Sequence, residues 1–82
     1  MANPTASYLA PINNRSMVDI VISRLTDAII NGELKPGDQI PVEPELVRTL
    51  GVGRNTVREA VRILVAYGVL EIRRAEGTYV CD

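Results

Sequence analysis

Arg54, Arg58 and Arg62 recur at every fourth position. A guanidinium fork matches the O6 and N7 of guanine and also bonds phosphate, so a row of three along a helix suits a nucleic-acid duplex. Val57, Val61 and Leu64 recur at helical spacing on a different side, with Ala60 and Val65 beside them. The stretch GRNTVREAVRIL, Gly53 to Leu64, therefore docks by one face and presents arginines on another. Its first turn adds Asn55 and Thr56, near a helix N-terminus whose free backbone N–H groups favour phosphate. This is the pattern of a recognition helix. The competing reading is a solvated arginine-rich face on an ordinary surface helix, and the spacing alone does not separate the two.

Other chemistry finds little to work with. The chain has no histidine, and its single cysteine, Cys81, has no base nearby in sequence. The carboxylates are scattered, and neither a phosphate-binding loop nor a dinucleotide fingerprint is present. No histidine–cysteine cluster has metal-ligand spacing. We therefore expect no catalytic residue, no metal and no cofactor in this domain, and no enzyme activity.

With 82 residues, the chain suffices for one small domain. At 46% hydrophobic it is too apolar for wholesale disorder, and without Phe or Trp its core must be aliphatic. No stretch reaches the length of a membrane span, and the start MANPTASYLAPINN lacks the basic and apolar regions of a secretion signal. A lone cysteine fits a reducing compartment, so a cytoplasmic location is expected. The net charge of −1 argues mildly against DNA, but its distribution does not. Residues 1–53 carry four basic and six acidic groups, whereas Arg54 to Arg74 hold five arginines against Glu59 and Glu71.

The flanking elements explain how the arginines would be positioned. Residues 1–15 are polar and aperiodic, which reads as a flexible N-terminal arm, with Arg15 its only basic group. Ser16 is a good N-cap, and Asp19 three residues on resembles a capping box. Val18, Val21, Ile22, Leu25 and Ile29 make the apolar face of a first helix over 17–31, which Gly32 ends. Pro36-Gly37 fits the centre of a type II turn. Gln39-Ile40-Pro41 reads as a short extra strand. A second helix runs from Glu43 to Leu50, with Leu46, Val47 and Leu50 buried and with Val42 a poor N-cap. Gly51-Val52-Gly53 is a break of helix-turn-helix length. The third helix covers 54–67 with Gly68 at its end, and Tyr67 and Tyr79 read as packing residues at the core edge. Val69 to Arg73 and Thr78 to Val80 form a hairpin around Arg74-Ala75-Glu76-Gly77. The whole, 16–82, is an α+β winged helix-turn-helix: three helices, a C-terminal hairpin wing and a short extra strand.

The segment INGELKPGDQIPVEPELVRTLGVGRNTVREAVRILVAYGVLEIRRAEGTYV resembles the N-terminal domain of GntR-type bacterial transcription regulators. The hairpin VLEIRRAEGTYV is most similar to the FadR-like (FCD) branch. That resemblance implies a regulator, often a repressor, that binds a short palindromic operator as a homodimer, commonly with GT and AC half-sites. By position it places Arg54 and Arg58 at base-reading sites, and Gly53, Asn55 and Thr56 at neighbouring base and phosphate contacts. Gly77 falls where the wing nears the minor groove. Arg62 is expected at phosphate or paired with Glu59, and Arg74 rather than Arg73 at the wing tip. The resemblance further implies a C-terminal domain beyond this chain that senses a small-molecule effector, often an organic acid, and holds the dimer.

The chain departs from the family pattern in three places. Gly53 replaces the usual serine before the first arginine. Val42 and Pro44 replace a capping serine and an arginine that can touch DNA. Ala75-Glu76-Gly77 replaces the wing's G-x-G, which places an acidic side chain near phosphates. The alternative function is a winged helix used for protein–protein contact. Exposed Arg54 and Arg58 favour DNA, whereas pairing with Glu43 and Glu45, or burial, favours the alternative.

Overall fold

The computed structural model describes residues 16–82; the N-terminal arm expected over 1–15, with Arg15, lies outside the described residues. Helix α1 is Met17–Ile30. Ser16 caps it from an extended backbone, its Oγ accepting the Asp19 N–H at 3.1 Å. It ends when Gly32 turns left-handed, and the Glu33 N–H reaches back to the Ala28 carbonyl at 2.8 Å. The Pro36-Gly37 turn forms as its residues dictate. Gly37 has φ +89°, the Asp38 N–H bonds the Lys35 carbonyl at 2.9 Å, and the Asp38 carboxylate accepts the Lys35 N–H at 2.9 Å.

Helix α2 is Glu43–Leu50, with Pro44 in its first turn and no side chain capping its start at Val42. Gly51, left-handed at φ 69°, ends it. Val52 packs partly buried in the turn, and helix α3 follows as Arg54–Ala66. This helix stops one residue short of the expected end, so Tyr67 is its cap and Gly68 the left-handed residue after it.

Strands β1 (Leu70–Arg73) and β2 (Gly77–Val80) pair antiparallel, with Leu70 opposite Val80 and Arg73 opposite Gly77. The extra strand amounts to a single bridge between Gln39 and Tyr79. Around it the Ile40 N–H bonds the Thr78 carbonyl at 2.9 Å, and the Val80 N–H bonds the Asp38 carbonyl at 2.8 Å.

One core joins all of this: Val21 and Leu25 of α1, Ile40, Leu46 of α2, Val57, Ala60 and Leu64 of α3, and Leu70 and Val80 of the hairpin. Ala60 is wholly buried, its small side chain facing the core where α1 and α3 pack together. Tyr67 does not join this core. It is 79% exposed, against its expected packing role, at the C-cap where α3 ends and left-handed Gly68 redirects the chain towards β1. Tyr79 is half-buried, as expected.

Candidate nucleic-acid interface

Burial of Val57, Ala60 and Leu64 fixes the rotation of α3 about its axis. Arg54, Asn55, Arg58, Glu59 and Arg62 consequently face solvent, and Thr56 is half-buried. Gly53 sits at the N-cap in an extended conformation, and no side chain caps the helix. The first-turn N–H groups therefore stay open to an anion. A Cβ at Gly53 would meet nothing within 4 Å, so the fold itself does not require glycine there.

The three arginines differ in their surroundings. Arg54 forms no ion pair among the described residues. Arg58 donates from Nε to Glu43 Oε1 at 2.7 Å, and its side chain remains 54% exposed. Arg62 lies 3.6 Å from Glu59, a loose surface pair of the kind expected and worth little to stability. The Arg58 hydrogen bond, with the charges of Arg58 and Arg54 behind it, holds the Glu43 carboxyl below the usual carboxylate range. That same bond raises the Arg58 guanidinium above its ordinary value.

The wing separates its two arginines. Arg73 donates to Glu71 at 2.8 Å and stacks 4.0 Å over the Tyr79 ring, which ties it to the hairpin. The Glu71 hydrogen bond raises its pKa. Arg74 stands exposed in the turn, with no ion pair among the described residues. Ala75 adopts φ 65°, a left-handed conformation that costs an L-residue about 1 kcal/mol. Gly77, at φ 134°, packs so closely on the Gln39 side chain that a Cβ would collide with its amide. That amide donates to the Glu76 carbonyl at 3.2 Å and braces the turn.

The fold brings some of these groups together. Glu43, Arg58, Arg62, Ile72 and Thr78 line a groove between α3 and the hairpin, and Gly77 and Thr78 line a neighbouring hollow with Glu43, whereas Asn55 and Thr56 lie in a separate open hollow with Ser16 and Asp19 at the start of α1. One participant escaped the sequence reading: the Gln39 side chain as the brace of the wing. It carries no local signal, since the contact joins distant stretches of chain. Of the two arginines whose pairing with Glu43 would favour a protein partner, Arg58 is paired and Arg54 is not. Among the described residues no cluster of histidine, cysteine or carboxylates could hold a metal, and no helix is long and apolar enough to cross a membrane.

A buried-stripe third helix after a three-residue break, closed by a braced hairpin, defines a winged helix-turn-helix domain. The family of bacterial regulatory proteins called gntR matches residues 18–80, and the chain belongs to that family. The matched stretch is the DNA-binding domain of that family of transcription regulators. Over 74 residues the chain is 38% identical to the HTH-type transcriptional regulator Mce2R of Mycobacterium tuberculosis (strain CDC 1551 / Oshkosh), covering 90% of this chain and 31% of that protein. Over 60 residues it is 47% identical to the mannosyl-D-glycerate transport/metabolism system repressor MngR of Escherichia coli (strain K12), covering 73% of this chain and 25% of that protein. The FadR-like branch that the hairpin resembles is represented among its relatives. The fold superposes on the DNA-binding domain of AraR in complex with operator ORE1 with a TM-score of 0.80 and 31% identity, over 87% of this chain and 90% of that one. The chain thus spans about a third or less of the length of the curated relatives it matches.

Proposed function

We propose that this chain binds duplex DNA sequence-specifically, with α3 in the major groove of an operator half-site and the hairpin as a wing beside it. The observation that carries this reading is the outward face of α3. Arg54, Asn55 and Arg58 are exposed over its first turns, beside a helix N-terminus that no side chain caps. A helix entering the groove meets base edges with its N-terminal residues. Arg54 and Arg58 then read bases, while Gly53, Asn55 and Thr56 meet neighbouring bases and phosphates. Arg62 and Arg74 reach phosphate, and Gly77 brings the wing close to the minor groove. The operator complex of the AraR domain supports the same use of this fold.

One observation favours a protein-binding winged helix instead: Arg58 is paired with Glu43. The pair engages only one of the five guanidinium N–H donors and leaves the side chain over half exposed, so it does not withdraw Arg58 from DNA. Arg54 meets the condition for DNA binding outright.

For the whole regulator we propose a cytoplasmic repressor that acts as a homodimer on a palindromic operator carrying GT and AC half-sites. Its small-molecule effector, an organic acid, binds in a segment beyond these 82 residues. The homodimer suits a domain that covers one half-site alone, since linking two sites raises the effective concentration of the second.

The test is selection from a random duplex pool followed by sequencing. The wild-type chain and an Arg54→Ala, Arg58→Ala variant are compared at two salt concentrations. An enriched half-site that vanishes in the variant is the expected result. Equal, unselective binding by both proteins would move the weight to a protein partner.

A further inference from the structure

We infer that Glu43, on α2, is a positioning residue for base reading: it holds the Arg58 guanidinium by its Nε so that the two terminal nitrogens face the base edge. This rests on the DNA-binding reading above. Arg58 is attached to Glu43 at 2.7 Å and Arg54 to nothing comparable, so the two reading arginines are prepared differently. A long arginine side chain loses rotamer freedom when it reaches a base. An arginine already held by a carboxylate has lost part of that freedom in the free protein, and it arrives oriented. Holding Nε leaves the Nη1 and Nη2 pair, which is a fork of the width that O6 and N7 of guanine accept.

The pair adds only a little to stability. Both partners are substantially exposed, at 54% and 30%, and exposed ion pairs contribute little to folding. Its geometry also uses the fold: the start of α2 projects Glu43 across to α3, into the groove that Arg58 shares with Thr78 of the wing. Glu43 has a second effect there. A carboxylate beside the reading surface repels phosphate, and this lowers affinity for every sequence alike. One residue thus acts in two ways, raising selectivity by aiming Arg58 and lowering affinity overall by its charge.

Two substitutions separate these effects. Glu43→Gln and Glu43→Ala both remove the charge, but only glutamine keeps an oxygen that can accept the Arg58 Nε–H. Selection and sequencing would be run on the 82-residue chain and both variants, with Arg58→Ala marking the base pair that Arg58 reads. Both Glu43 variants should bind random duplex more tightly than wild type. Glu43→Ala should lose roughly fivefold or more of the preference at the Arg58 base pair and at no other, with Glu43→Gln keeping most of it. An unchanged sequence profile in Glu43→Ala, with only a uniform gain in affinity, would reduce Glu43 to a repulsive charge and overturn the inference. A wild-type chain that enriches nothing would instead remove the DNA reading, and the inference with it. Should Glu43→Ala unfold, 15N relaxation of the Arg58 Nε–H in wild type and Glu43→Gln decides. A side chain as mobile as Arg54 in the wild type would contradict the holding contact.

Discussion

At the scale of single residues, the wing turn holds two neighbours under opposite constraints. Ala75 occupies a left-handed conformation without being glycine, at the position where the family resemblance places the first glycine of G-x-G. Ala75→Gly should therefore stabilise the domain by about 1 kcal/mol, a rise in melting temperature of roughly 4–8 °C for a domain of this size, read by circular dichroism. Gly77→Ala should do the reverse and by more, since φ 134° is one that L side chains rarely adopt, and the Gln39 amide would have to move aside. It should also release the bond from Gln39 to the Glu76 carbonyl. The Glu43 carboxyl gives a test of the ion pair itself. Its pKa lies below the usual 4.5 in the folded chain, because Arg58 hydrogen-bonds the ionised form. A lowered folded pKa means that the pair supports folding above the unfolded-state value, and that this support is lost as pH falls through the lowered one. A carboxyl 13C NMR titration should place Glu43 below 4.5, and Arg58→Ala should return it towards that value.

At the scale of elements, helices α2 and α3 begin without side-chain caps, at Val42 and Gly53. Val42 has an extended backbone suited to a cap and a glutamate, Glu45, three residues on. Val42→Ser should complete a capping box and stabilise the domain by about 1 kcal/mol in urea unfolding, without altering the sequence selected from a duplex pool. The elements were legible in the sequence where their signals are local. Ser16 starts α1 from its own hydroxyl, and Gly32, Gly51 and Gly68 end the helices because each adopts a left-handed φ. The apolar stripe of α3 fixed which side of the helix carries Arg54 and Arg58. What stayed illegible depends on which elements meet. The Gln39 side chain finds Glu76 across more than half the described chain, and which arginine engages Glu43 is decided only after α2 has packed on α3. Tyr67 misled for a related reason. Its spacing continues the α3 stripe, but it falls at the C-cap, where left-handed Gly68 redirects the chain.

At the scale of the molecule, the proposed DNA-facing side offers few positive groups, and the net charge is −1. If Arg54, Arg58, Arg62 and Arg74 each displace a counterion, log affinity should fall with log salt at a slope of about −3 to −4, and Arg62→Ala should reduce that slope by about 1. Fluorescence anisotropy over a salt series measures both. The hairpin adds a mechanical property. Strand β2 is bonded along one edge to β1 and along the other to the loop after α1, where Gly37, Asp38 and Ile40 exchange hydrogen bonds with Val80 and Thr78. The Cys81 N–H fastens the following residue to Val69, just past the end of α3. A strand gripped on both sides cannot swing as a flap. Displacement applied near Val80 is passed to the loop that leads into α2, and so to the base of Glu43. The wing is then a fixed lever, its turn braced by Gln39, and a tug at the carboxyl end of β2 would tilt the whole domain as one piece.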